Sequence, residues 1–165
     1  MSRLSSETEG VLAELGEVIQ AYQSAVDDYD REIARLLGVN ETDLRCLELL
    51  LATEERSPRE LSTQLGLTTG SVTAMLDRLE KHGLLVRTPH PVDRRKTVVK
   101  LTSEGTRRCW ELIAPHIADG ERELGAKYGV DQLRLIIDFL RTSTAVQDRH
   151  TQRLRARPAA GRGAP

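Results

Sequence analysis

Apolar residues recur along the first forty positions at intervals of three and four. Leu12, Leu15, Ile19, Tyr22, Val26, Tyr29, Ile33 and Leu36 follow one another at steps of 3, 4, 3, 4, 3, 4 and 3. This is an a/d seam held over about three and a half heptads, and it predicts one long helix. At 1.5 Å per residue the helix extends about 45 Å before Gly38 ends it. The seam can serve as an intrachain core stripe or as a packing surface for a second subunit, and part of it is expected to do each. Asn40 then reads as the N-cap of a short helix carrying Leu44, Leu47, Leu50 and Leu51.

From Ser57 to Thr102 the pattern changes to helix, tight turn, helix and β-hairpin. Ser57-Pro58-Arg59-Glu60 has the form of a capping box with proline where its missing N–H does no harm. Leu61 and Leu65 form the apolar side of the first helix, and Gly66 stops it. Thr68 can cap a second helix whose buried stripe is Val72, Leu76 and Leu79, with Met75 beside it, ended by Gly83. Leu84-Leu85-Val86 opens a strand, and the tip from Thr88 to Lys96 leads into a second strand, Thr97 to Leu101. This order is that of a winged helix-turn-helix, which places its second helix in a DNA groove.

Beyond the hairpin, Thr102 can cap a helix through Cys109, Trp110, Leu112 and Ile113, with a kink expected at Pro115 and an end near Lys127. Gly129 breaks the pattern. A last helix carries Leu133, Ile136, Ile137 and Leu140 and fades near Val146, and the Arg-rich sequence from His150 onward reads as a disordered tail. The fold class is therefore mainly α with a small β-hairpin wing: a winged helix-turn-helix plus a helical dimerisation lobe formed by the N- and C-terminal helices. The divisions are 1–38 for the N-terminal dimerisation helix, 39–102 for the winged unit, 103–148 for the C-terminal dimerisation helices, and 149–165 for the tail. A two-fold dimer of this kind reads a pseudo-palindrome.

The wording of residues 57–105 adds a family resemblance. Leu65-Gly66-Leu67-Thr68-Thr69-Gly70-Ser71-Val72-Thr73, Asp77-Arg78-Leu79-Glu80-Lys81-His82-Gly83-Leu84, Asp93-Arg94-Arg95 and Leu101-Thr102-Ser103-Glu104-Gly105 together resemble the multiple-antibiotic-resistance regulator (MarR) family. The resemblance implies a homodimeric transcription factor, most often a repressor, that binds a pseudo-palindromic operator in double-stranded DNA. It also implies release by a small-molecule effector or by oxidation.

Net charge, −1 overall, would argue against nucleic acid, but its distribution reverses that reading. Residues 1–56 carry 5 Lys/Arg against 13 Asp/Glu, residues 57–102 carry 8 against 4, and residues 149–165 carry 5 Arg and no acid. The basic balance of the helix-turn-helix segment is the electrostatic footprint of a DNA reader. With 165 residues, one domain with a proper core is expected. There is no apolar run of membrane-spanning length and no signal-peptide plan, so a cytoplasmic location without membrane association is expected. Neither a Gly-rich phosphate loop nor a nucleophile–base constellation appears, and no cofactor or enzymatic activity is expected. His82, His90, His116 and His150 lack metal-ligand spacing.

On the second helix, burial claims one stripe and leaves Thr69, Gly70, Ser71, Thr73 and Ala74 for the groove, with Thr68 at the cap and Arg78 one turn on. Arg78 either reads DNA or pairs with an acidic neighbour. At the wing tip, Asp93 and Arg95 match the family's Asp-x-Arg signature. The resemblance implies that Arg95 enters the minor groove while Asp93 holds it by a charge-assisted bond; Arg94 and Lys96 are expected on phosphates. Ser57, Pro58 and Arg59 form a phosphate site at a helix N-terminus, with Thr63 and Gln64 as weaker candidates. An effector pocket of the family's kind would draw on Tyr22, Tyr29, Leu47, Trp110 and His116. Cys46 and Cys109 are the candidates for a redox switch. The competing reading is a winged-helix partner-binding module without specific DNA binding.

Overall fold

The structure, a computed structural model, describes residues 5–93 and 95–157. The chain forms two compact units that meet in sequence at Ala114 and Pro115. The first holds α1 (Ser6–Leu37), α2 (Glu41–Leu51), β1 (Glu55–Arg56), α3 (Pro58–Leu65), α4 (Thr69–Lys81), β2 (Leu85–Pro89), β3 (Thr97–Leu101) and the start of α5 (Ser103–Lys127). The second holds the rest of α5 and α6 (Val130–Arg155).

Local chemistry sets the helix ends as anticipated. Asn40 Oδ1 accepts from the Asp43 N–H at 2.8 Å, and Thr68 Oγ1 accepts from the Ser71 N–H at 3.2 Å. Ser57 and Glu60 exchange both bonds of the capping box. Gly38 and Gly66 terminate α1 and α3 in the left-handed region, with φ of 73° and 66°, where a side chain would be strained.

The core of the first unit is one cluster. α1 contributes Ile33, Ala34 and Leu37; α2 contributes Leu44, Cys46, Leu47 and Leu50; α3 contributes Leu61. The whole stripe of α4, Val72, Met75, Leu76 and Leu79, is buried against them, with Leu84, Leu85, Val99 and Cys109 closing the cluster. The long seam of α1 is only partly used. Ile33 is buried as expected, but Leu36 is exposed and Leu37 takes the inward place, while Leu12, Tyr22 and Val26 lie in the open.

The sheet has three strands rather than the two of a simple hairpin. Glu55 and Arg56 pair antiparallel with Lys100 and Val99, and β3 is central, in the order β1-β3-β2. Two charged residues carry no alternating pattern, so only the partner strand reveals them as a strand. α6 also departs from expectation. It continues to Arg155, well past Val146, so residues 149–155 are helical rather than part of a disordered tail. Good helix formers carry the backbone on after the apolar periodicity ends. Residues 158–165 of the expected tail lie outside the described residues. Pro115, where a kink was expected, sits inside α5.

The exit from the wing is the tightest junction. Thr102 Oγ1 donates to the Gly83 carbonyl at 2.7 Å and accepts from the Gly105 N–H at 2.8 Å, so one hydroxyl joins the end of α4 to the start of α5. The Thr102 N–H donates to Leu84 O at 3.1 Å. Gly105 is packed so closely that a Cβ there would stand 2.0 Å from the Leu84 carbonyl oxygen. Backbone has to move to admit it, so Gly105→Ala should destabilise the protein by ~1–3 kcal/mol or more. Gly10→Ala, which meets open space on α1, should instead stabilise it by ~0.5–1 kcal/mol. Urea unfolding of the two variants checks both signs.

Candidate nucleic-acid interface

The buried stripe of α4 decides what the helix shows outward. With Val72, Met75, Leu76 and Leu79 inside, Thr69, Gly70, Ser71, Thr73, Ala74 and Asp77 are exposed. No atom lies within 4 Å of where a Gly70 Cβ would sit, so the backbone is bare there. The hydroxyls are partly spoken for: Thr68 Oγ1 and Ser71 Oγ share a bond at 2.9 Å, and Thr73 Oγ1 donates to the Thr69 carbonyl at 3.0 Å.

Two open grooves flank this helix. One, of about 960 Å³, runs between the first turn of α3, the outer face of α4 and the base of the wing. It gathers Ser57, Pro58, Arg59, Thr69, Thr73 and Lys96 of the residues selected from sequence, and adds His90. The other, of about 740 Å³, lies on the side of α1 and α2 and takes Ser71, Ala74 and Arg78 together with Arg31 and Arg35. At the first groove, the capping bonds from Ser57 hold the Glu60 carboxyl below the usual carboxylate range, so it stays ionised at neutral pH.

Arg78 is engaged within the protein. Its Nη2 donates to Asp43 Oδ1 at 2.7 Å and its Nε to Oδ2 at 3.3 Å, a two-point pair from α4 to the first turn of α2. The Asp43 side chain is 4% exposed and the Arg78 side chain 48%, so the pair braces α4 from below while part of the guanidinium reaches solvent. Of the two readings of Arg78, the acidic pairing is therefore present, though its partner comes from another helix rather than from its own surface. The bonds to Asp43 raise the pKa of Arg78 above its ordinary value, and it is a fixed cation.

Arg87, on β2, was not selected from sequence and does comparable work on the wing side. Its Nη2 donates to Asp77 Oδ1 at 2.6 Å and to the Thr73 carbonyl at 3.3 Å, and its Nη1 lies 3.4 Å from Glu80 Oε2. The Arg87 N–H also donates to Glu80 Oε1 at 3.2 Å. One of the two negative charges on the outer face of α4 is thereby compensated, which lowers the face's repulsion of a polyanion.

At the wing tip Asp93 holds backbone rather than guanidinium. Its Oδ1 accepts from the Arg95 N–H at 3.2 Å, its Oδ2 lies 3.7 Å from Lys96 Nζ, and His90 Nδ1 accepts from the N–H groups of Val92 and Asp93. The clamp implied by the family resemblance is therefore an Asx-type turn that shapes the loop. Arg95 is exposed, and its guanidinium makes no ion pair among the described residues. Arg94 lies outside the described residues.

A helix-turn-helix with a tied-down wing and an open helix face invites comparison with known regulators. The chain is 31% identical over 127 residues to the uncharacterised HTH-type transcriptional regulator YcgE of Bacillus subtilis, covering 77% of this chain and 82% of that one. It belongs to the MarR family. The family's sequence profile matches residues 39–97, which run from the start of α2 into β3. Apo MarR from E. coli superposes with a TM-score of 0.55 at 27% identity over 78% of this chain and 96% of that one. NadR, solved in complex with 4-hydroxyphenylacetate, does so with 0.57 at 26% over 86% and 94%. A MarR-family protein of this fold is a DNA-binding transcriptional regulator, and its relatives are regulators rather than enzymes. No helix among the described residues is long and apolar enough to cross a membrane.

The five residues selected for an effector pocket are not drawn together around either groove of this MarR-family chain. Leu47 is core, Tyr29 donates its hydroxyl to the Leu112 carbonyl at 3.2 Å, and Tyr22 and Trp110 are 66% and 44% exposed. His116 belongs to the second unit. The family resemblance, which suggested these residues, does not fix where their side chains point.

The cysteines are placed against redox chemistry. Both are fully buried. Burial, aided by Asp43, pushes the Cys46 thiol up to about 12, and burial raises Cys109 as well, whereas a sensor needs an accessible thiolate. In the native protein neither thiol should react with a disulfide reagent at pH 8 on the timescale of a free thiol, and both should react in denaturant. Rapid native labelling of either would contradict their burial.

Proposed function

We propose that this MarR-family protein is a homodimer that binds a pseudo-palindromic operator sequence-specifically and acts as a repressor that a small-molecule effector releases. The observation that carries the proposal is the joint outward face of α4 and the wing. Small residues at Thr69, Gly70, Ser71 and Ala74 allow close approach to a major-groove floor, and the exposed Arg95, without an ion pair among the described residues, belongs to the adjoining hairpin. In this reading Arg95 enters the minor groove beside the half-site, where a narrow groove attracts a guanidinium. Lys96 and Arg59 meet phosphates, and Arg78 positions α4 from behind through Asp43.

Dimerisation is supported by what the helices leave uncovered. α6 buries none of its residues, and Leu135, Ile137, Leu140 and Val146 stand open along it. α1 likewise exposes Val11, Leu12, Val18 and Tyr22. Apolar helix faces of this extent mark an interaction surface. A symmetric dimer would present two copies of α4 about one helical turn apart, and an effector favouring another spacing would shift the population away from DNA. NadR was solved with a small aromatic acid bound, which supports a small-molecule signal for this relative.

Fluorescence anisotropy on the DNA upstream of its own gene, with a scrambled duplex as control, tests the proposal at two salt concentrations. Binding confined to the upstream DNA and falling steeply with salt is the expected result. Equal, weak binding to both duplexes would count against sequence-specific recognition. Arg95→Ala should weaken operator binding by ~1–3 kcal/mol and leave thermal stability unchanged; unchanged affinity with an unchanged salt slope would remove Arg95 from the interface. Gly70→Ala should separate the two properties in the opposite way. The added methyl meets open space and leaves stability intact or higher, while DNA affinity falls because the methyl occupies the approach to the groove.

A further inference from the structure

Arg56 and Arg87 flank Val99 in one row across the sheet, since each pairs with it in register. Directly opposed residues of antiparallel strands share a face, so both arginines leave the sheet on the side where Val99 is fully buried. Their partners differ. Arg87 meets Asp77 and Glu80 on α4. Arg56, which was not selected from sequence, makes no ion pair among the described residues, and its Nε is enclosed with no acceptor there. Only Nε is enclosed in this way. The residue as a whole is half-buried and stands in the wall of the groove of about 960 Å³, so its Nη groups are the donors left for an outside partner.

The groove has no acid to spare for it. Glu60 feels the charge of Arg56, but its Oε2 is committed to the N–H and the hydroxyl of Ser57, each at 2.7 Å. Glu55, the other acid on the wall, belongs to the opposite face of β1 by strand alternation. The remaining titratable side chains there are the bases Arg59, His90 and Lys96. A buried N–H without an acceptor destabilises a fold, and an arginine cannot shed its charge to relieve this. Arg56 is therefore unfavourable to the folded protein alone and becomes favourable once an oxyanion reaches it. The outer face of α4 and the base of the wing bound the same groove. Its opening is far larger than one small anion and suits a run of sugar-phosphate backbone.

We propose that Arg56 is a further DNA-contact residue, whose Nη groups donate to a backbone phosphate of the strand that crosses this groove. The assignment rests on the presentation of α4 and the wing to DNA given above. A phosphate contact holds register and carries no base information, so Arg56 adds affinity for every duplex alike.

Arg56→Met and Arg56→Lys in the full-length chain test this, by anisotropy on the upstream and scrambled duplexes over a salt series and by thermal unfolding without DNA. Arg56→Met keeps the apolar stem and removes the charge and the enclosed N–H. It should bind both duplexes about tenfold more weakly at low salt, with a salt slope shallower by about 1. Its unfolding midpoint should equal or exceed that of the parent. Arg56→Lys should keep the slope and lose part of the affinity, because an ammonium replaces a fork of donors. Parental affinity and slope in Arg56→Met would overturn the proposal. So would a lower midpoint in both variants with equal loss of binding, which would make Arg56 a structural residue. Inorganic phosphate at constant ionic strength supplies a further arm. If it raises the midpoint of the parent but not of Arg56→Met, while their DNA affinities agree, the site takes a free anion and the proposal falls. A parent that binds neither duplex would remove the DNA reading itself, a result distinct from all of these.

Discussion

Burial of one stripe of α4 is the constraint on which the rest depends. Val72, Met75, Leu76 and Leu79 are each at most 1% exposed, and helical geometry leaves no freedom about what then faces outward. Rotating the helix to bring Arg78 or Asp77 to a different azimuth would expose several of these apolar side chains, at a cost of ~1.5–3 kcal/mol for each one fully uncovered. The outward face is thus inherited from the core. The glycine and small hydroxyl residues on it can vary in identity without disturbing the packing behind them, which separates what the helix displays from what keeps it folded.

Electrostatics then modifies this geometry. Arg87 pairs with both Asp77 and Glu80 while anchoring the wing, which reduces the negative charge that the outer face of α4 displays. On the inner side Asp43 gives Arg78 a partner in a setting where burying an unpaired carboxylate would be costly. The chain as a whole is nearly neutral because acid accumulates on α1 while base accumulates on the winged segment and the end of α6. Average charge therefore says little about this molecule, and its local sign says a good deal.

What could be read from sequence was what local chemistry determines. The caps at Asn40, Ser57 and Thr68 and the stops at Gly38, Gly66 and Gly83 act within a few residues, as does the 3.6-residue period of α4. What could not be read depends on partners distant in sequence. β1 is a strand only because Lys100 and Val99 accept it. Asp43 looks like any acid in the first turn of a helix until Arg78, 35 residues later, arrives beside it. The wing is a mixed case. Asp93 and Arg95 drew notice as a pair, but two residues are close enough for the carboxylate to reach the backbone N–H first, and the guanidinium then makes no ion pair among the described residues. The end of α6 shows the converse: periodicity fades where helix propensity does not.

The bonds of Arg87 bear on regulation. A side chain rooted in β2 that grips Asp77, Glu80 and the Thr73 carbonyl on α4 makes hairpin and helix behave as a single calliper jaw. Bending one against the other would break a charge-assisted bond and strand two carboxylates. In the dimer proposed above, a signal would gain little by deforming a jaw and much by changing the gap between two of them. Control would then take the form of a length, set where the jaws are joined and read against the pitch of the double helix.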